Sequence, residues 1–190
     1  MRNLTLAIPR TTRIVVMIIA AIAALWLAFE MDQAMQPATD DSDFGIVGFE
    51  LAGTPDRATE ILADWGDDGR EGAEQAIKLD YGFLVAYSVL LALATGSVTM
   101  IVTARGWERA ERIGWVLAGL VLVAGLLDAV ENTALLQVLS GYDLGDIGSA
   151  NTTIAMVAAS AKFAFLLAAG LYMVGGLGAS WLFPSRQKRS

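Results

Sequence analysis

The sequence predicts an all-α polytopic membrane protein, a four-helix transmembrane bundle with an extracytoplasmic helical cap between spans one and two. Three observations carry this. The 190-residue chain is 55% hydrophobic, above the roughly 45–50% of a soluble domain even with glycine counted. Four apolar stretches each match the run of about 20 residues that crosses a hydrocarbon core of about 30 Å. The basic residues gather at alternate ends of those stretches.

The spans cover about residues 14–31, 80–104, 113–139 and 154–183, with the cap segment at 32–79 in one membrane domain. In span one, IVVMIIAAIAALWLAFEM, Ala20, Ala24 and Ala28 recur at four-residue spacing, a small-residue stripe that suits close helix packing in lipid. A cleaved signal peptide is the competing reading of residues 1–30. Its apolar centre would be about 7–15 residues and end at an A-x-A-like site. This run is longer and ends in Phe29-Glu30-Met31, so a retained span is expected.

The cap segment opens with a turn-like stretch, Pro37–Asp43. FGIVGFELAG, residues 44–53, is too short to span and is expected at the interface or capping the bundle. TPDRATEILADWG, residues 54–66, reads as a helix capped by Thr54, with Pro55 in its first turn and Gly66 at its end. Ala58, Ile61, Leu62 and Trp65 fall at i, i+3, i+4 and i+7 and form one apolar face. The remaining charges (Asp56, Arg57, Glu60 and Asp64) are net negative, unlike the basic faces of membrane-surface helices, so this helix is expected on the bundle mouth. From about Asp68 the chain can be helical into span two. DDSDFG, residues 40–45, lacks the spaced oxygen ligands of a calcium loop. Pro184 closes span four.

Lys and Arg set the direction. Arg2, Arg10, Arg13, Arg105, Arg109, Arg112, Arg186, Lys188 and Arg189 lie on one side, nine of the thirteen. Only Arg57, Arg70 and Lys78 lie on the other, and Lys162 is within a span. The positive-inside rule places both termini in the cytoplasm, here of a bacterial inner membrane, with Trp107, Trp115 and Trp181 as an aromatic belt on that face.

The chain has no Cys and no His. Disulfide and thiolate chemistry, His-ligated haem, His or Cys zinc sites and Ser-His-Asp triads are therefore excluded. No metal or cofactor is expected. The net charge of −7 argues against nucleic acid, whose binders carry a basic footprint. The expected partner is the lipid bilayer.

The functional candidates come from charges placed inside spans. Asp128 lies roughly 22 Å beyond Ile113 at helical rise, and Lys162 roughly 12 Å inside span four, so the two meet at similar depth from opposite directions. Glu131 and Asn132 follow Asp128 at i+3 and i+4, on the same face. Glu30 ends span one near this level, and Asp80, Tyr87 and Ser88 bring span two to it. The inner halves carry almost no polar groups. Intramembrane charge is costly unless paired, and by default it faces the bundle interior.

Three readings follow. A lock pairs Lys162 with Asp128 or Glu131 and fixes helix packing in a ligand-free accessory protein. A pocket, covered by residues 44–66, takes a cation, an amine or a hydroxylated lipid. A membrane enzyme would use the Asp, Glu and Lys groups as acid and base on a lipid-like substrate, although no nucleophile motif accompanies them. Four spans are few for a transporter, and no inverted repeat is visible; a homodimer would make up the number.

With DAVENTALL, residues 128–136, followed by Ala161-Lys162-Phe163, the chain resembles small bacterial four-span membrane proteins of uncharacterised activity. In these a D-x-x-E-N element in the third span precedes a lysine–phenylalanine pair in the fourth. The resemblance covers spans three and four and implies that Asp128, Glu131, Asn132 and Lys162 are the positions to test. The likeness to four-span sterol isomerase-type proteins is one of fold only.

Overall fold

The computed structural model describes residues 8–39 and 44–182. Arg2, the stretch 40–43 and the end of the chain from Phe183, with Pro184 and its three basic residues, lie outside the described residues. Among the described residues five helices follow in order: α1 Arg10–Thr39, α2 Ile46–Glu50, α3 Pro55–Ala104, α4 Glu108–Leu144 and α5 Ser149–Leu182. Four of them, α1, α3, α4 and α5, are long and apolar enough to cross a membrane. Large apolar side chains such as Ile22, Leu25, Val85, Leu126, Leu167 and Val174 cover their outward surface. This is the pattern of a multi-pass helical membrane protein, in which lipid replaces water around the bundle.

Helix α3 is the hub, packing against α1, α4 and α5. Consecutive long helices run antiparallel, so α3 and α5 run parallel, as their pairings show. Tyr87 and Asp80 of α3 meet Asp128 and Asn132 of α4, and Tyr172 of α5 meets Thr99 of α3. The link from α3 to α4 is Arg105–Trp107, and α4 ends on Gly145 in the left-handed conformation, the usual glycine stop.

Thr54 accepts from the Arg57 amide at 3.3 Å and Pro55 opens α3, as the cap signals predict. Gly66, at φ 64° and ψ −171°, breaks the helical path. It separates a short arm, 55–65, from the long arm, 67–104. Arg70 Nη1 donates to the Leu62 carbonyl at 2.9 Å, satisfying a group that the break leaves open. Ala58, Ile61, Leu62 and Trp65 are buried and join Phe49, Met35, Leu135, Val138 and Leu139 in one apolar core. The short arm therefore lies on the bundle and not apart from it. Burying Ile61 or Leu62 contributes about 1.5–3 kcal/mol each.

Two expectations are corrected. The turn predicted from Pro37 is helical through Thr39. The proline sits in the last turn, where its missing amide removes one bond, and Thr39 Oγ1 bonds back to the Met35 carbonyl at 3.1 Å. Tertiary contact holds this extension. A Cβ on Gly72 would strike the Ala34 carbonyl oxygen, and one on Gly69 would meet Ala38 at 3.0 Å. The second correction concerns the inner halves, which carry more polar groups than expected. Thr95 and Thr99 are fully buried. Tyr172 Oη donates to Thr99 Oγ1 at 3.2 Å and lies 3.0 Å from the Ala110 carbonyl. Thr99 and Thr103 each bond to a carbonyl four residues back, at 2.8 Å. Hydroxyls tied to their own helix in this way pack almost as apolar groups, so they stand out little in a hydropathy reading.

The glycine seam gives a first prediction. Gly72→Ala forces α1 and α3 apart against backbone and is expected to destabilise the bundle by about 1–3 kcal/mol. Gly170→Ala, where nothing lies within 4 Å, should be neutral or slightly stabilising. Unfolding of both variants in mixed micelles tests this, and equal stabilities would contradict the seam.

Candidate functional site

The polar groups converge where α3, α4 and α5 pass beneath α2. Lys162 of α5 reaches across to α4. Its Nζ lies 2.6 Å from Asp128 Oδ1 and 2.8 Å from Glu131 Oε1. Asp128 Oδ2 accepts from Tyr87 Oη of α3 at 2.8 Å. Ala155, Ala158 and Ala159 are buried beside Lys162, and side chains this small let α5 come close enough for its lysine to cross. All four interacting groups are buried. One ammonium thus ties α5 to α4, and one phenol ties α4 to α3. The depth match read from the sequence is the contact that forms.

A second group lies beside the first. Asn132 Nδ2 donates to Asp80 Oδ2 at 2.6 Å. Both residues line a cavity of about 460 Å³. The wall is mostly apolar: Ala28, Met31 and Met35 from α1, Ile46 and Val47 from α2, Ala76, Ile77 and Phe83 from α3. Asp32 and Thr39 complete the α1 side, and Glu50 enters from α2. The α1 positions 28, 31, 32, 35 and 39 follow helical spacing, and so do 76, 80 and 83 of α3.

Glu50 is the site residue missing from the sequence reading. Its Oε2 lies 3.7 Å from Lys162 Nζ, and its carboxyl meets that of Glu131. Both Glu50 Oε2 and Glu131 Oε2 are buried without a hydrogen-bond partner. The available signal was that Glu50 is the single charge within FGIVGFELAG. Phe49 beside it is buried against Trp65, ring centres 5.2 Å apart, and Trp65 Nε1 donates to the Phe44 carbonyl at 2.7 Å. These contacts hold α2 as a cap and turn Glu50 inward.

Two predicted members do not join. Glu30 is half-buried on α1, off the helical face that lines the cavity, and makes no ion pair or hydrogen bond with the cluster. Ser88 is buried with its Oγ unpartnered and occupies the space that a side chain on Gly125 would need. It serves close packing of α3 on α4. The remaining six predicted residues fall into two sets. Lys162, Asp128, Glu131 and Tyr87 form a closed ion-pair network that does not line the cavity, while Asp80 and Asn132 do. Glu50 touches both.

Burial pushes the Glu50 carboxyl above its ordinary value of 4.5. Lys162 pulls it back, while Asp128 and Asp80 push it further up.

No protein-family model, no curated protein and no solved structure matches the chain.

Two predictions follow from this geometry. Removing the ammonium strands buried carboxylates, so Lys162→Met is expected to cost about 3–5 kcal/mol of stability. Adding Asp128→Asn and Glu131→Gln to Lys162→Met should recover much of that loss, because partners in one network are not additive. Reversible unfolding measures both, and a neutral single variant would remove the network from the stabilising interactions. The second prediction concerns pH. A docked Glu50 with a raised pKa binds its proton more tightly than an undocked one, so its contribution to docking is complete below 4.5 and is lost as pH rises through the raised value. Lys162, Asp128, Asp80 and Glu131 all face it. Hydrogen exchange of residues 46–50, corrected for intrinsic rates, should therefore show protection falling with rising pH, and Glu50→Gln should flatten the curve. An unchanged profile in that variant would exclude Glu50 as the source.

Proposed function

We propose that this is a bacterial inner-membrane protein whose cap faces outward, with both termini cytoplasmic, and whose cavity binds a small or lipid-like ligand. The orientation rests on the excess of Lys and Arg at the terminal end, including Arg10, Arg13, Arg105, Arg109 and Arg112, under the positive-inside rule.

The ligand reading rests on one observation. The cavity has an apolar wall and a polar floor made of Asp80, Asn132 and Glu50. Ligand sites characteristically combine mostly apolar walls with a few convergent polar groups, in volumes of about 300–1,000 Å³. The floor lies where α2 closes over the bundle, so an amphiphile can place its head on the polar floor and its body along α1 and α2. Enzyme chemistry has weaker support, because Asp128, Glu131 and Lys162 do not line the cavity and a bound substrate would not meet them.

A second reading, a ligand-free accessory protein, is favoured by the Lys162 network. Its 2.6 and 2.8 Å contacts join α4 to α5 and would specify packing without any ligand.

A native mass spectrum of protein gently extracted from its own membrane separates the two. The pocket reading expects a discrete stoichiometric adduct that Ala28→Trp abolishes, since Ala28 is exposed and lines the cavity and tryptophan there fills it. A clean apo mass would overturn the pocket reading and leave the lock.

A further inference from the structure

We propose that the cavity selects a cationic amphiphile, a protonated amine seated between Asp80 and Glu50 and carried on an apolar body. This rests on the ligand reading above and names the chemical class.

The charge balance is the first argument. Glu50, Asp80, Asp128 and Glu131 bring four carboxyl groups to one ammonium, Lys162. That ammonium is committed: it lies 2.6 and 2.8 Å from Asp128 and Glu131 and 3.7 Å from Glu50. Among the described residues Asp80 makes no ion pair. It is only 8% exposed, and its one hydrogen bond comes from the neutral amide of Asn132 to Oδ2. Among the described residues no donor reaches Oδ1, and none reaches the buried Glu50 Oε2. A carboxylate in a bundle interior is costly unless paired, and a charge-assisted N–H···O bond is the strong way to pair it. An amine entering the cavity supplies the missing donor and the missing charge together.

The rest of the cavity fits the same ligand. Among the described residues no lysine or arginine lines it, which disfavours an anionic headgroup. Among the described residues no group of three or more Asp or Glu is placed to hold a metal ion, which disfavours a bare divalent cation. Met31 and Met35 offer adaptable thioethers, and Phe83 a ring able to face an alkylammonium. At the rim, exposed Asp32 adds negative charge where a ligand enters. A neutral alcohol would fill the apolar part but leave the charge of Asp80 unmatched.

The test titrates the purified full chain in detergent with dodecylammonium, dodecanol and dodecanoate and counts adducts by native mass spectrometry. One dodecylammonium is expected per chain, bound at least tenfold more tightly than dodecanol, with dodecanoate binding least. Asp80→Asn keeps the side-chain shape and should weaken the amine at least tenfold. Asp32→Asn, at an exposed position with no folding role, should weaken it less but measurably, which keeps the proposal testable if Asp80→Asn fails to fold. Ala28→Trp should abolish it. Dodecanol binding as tightly as the amine, lost in Ala28→Trp but unchanged in Asp80→Asn, would overturn the cationic assignment and leave the pocket. Adducts indifferent to Ala28→Trp, or none with any probe, would overturn both.

Discussion

A single ammonium inside the helical bundle organises this molecule. Lys162 is held away from water on α5, where leaving it unpaired would cost several kcal/mol. Its partners come from elsewhere: Asp128 and Glu131 from α4, and Glu50 from α2. The demand for counter-charge therefore acts between elements. It fixes how far α5 slides along α4, and through Tyr87 and Asp128 it fixes α4 against α3. The cap helix, anchored by Phe49 on Trp65, brings Glu50 to the same ammonium. Because Glu50 arrives with that helix, the cavity beneath the cap is bounded on one side by a carboxyl that also faces the lysine.

The second constraint is backbone proximity. Helix α1 packs on α3 alone among the long helices to any large extent, and it does so through glycine. Gly69 and Gly72 admit Ala38 and Ala34, and Gly82 admits Leu27. Ala20 and Ala24 extend the seam as buried residues, whereas Ala28 turns to the cavity. Thus the stripe of small residues in α1 has two uses: part of it closes the contact, and the next turn leaves room. Met31 and Met35 then wall the space with flexible side chains.

Lock and pocket are neighbours with different members. The network of Lys162, Asp128, Glu131 and Tyr87 can hold packing whether or not the cavity is filled, and Asp80 with Asn132 can meet a ligand without breaking it. Glu50 touches both sets, so occupancy of the cavity and docking of the cap are physically linked through one carboxyl. At the other end of the bundle, Tyr172 and Thr99 supply hydrogen bonds but no charge, while Thr95 Oγ1 is buried without a partner.

Much of this was legible in the residues themselves. Span number, the buried face of 55–65, its cap at Thr54, the break at Gly66 and the equal depth of Asp128 and Lys162 all follow from hydropathy, periodicity and rise per residue. Those quantities are local, or they scale simply with position along a helix. Four things were decided only in three dimensions. Glu50 enters the site because Phe49 is anchored on Trp65. Glu30 stays out because it lies off the face of α1 that meets α3. The helix persists through Pro37 because Gly69 and Gly72 let α1 pack there. Asp80 and Asn132 part from the Lys162 network because the cavity opens on their side alone. Each depends on which surfaces approach and how closely, and a one-dimensional pattern of apolar and charged residues does not contain that distance.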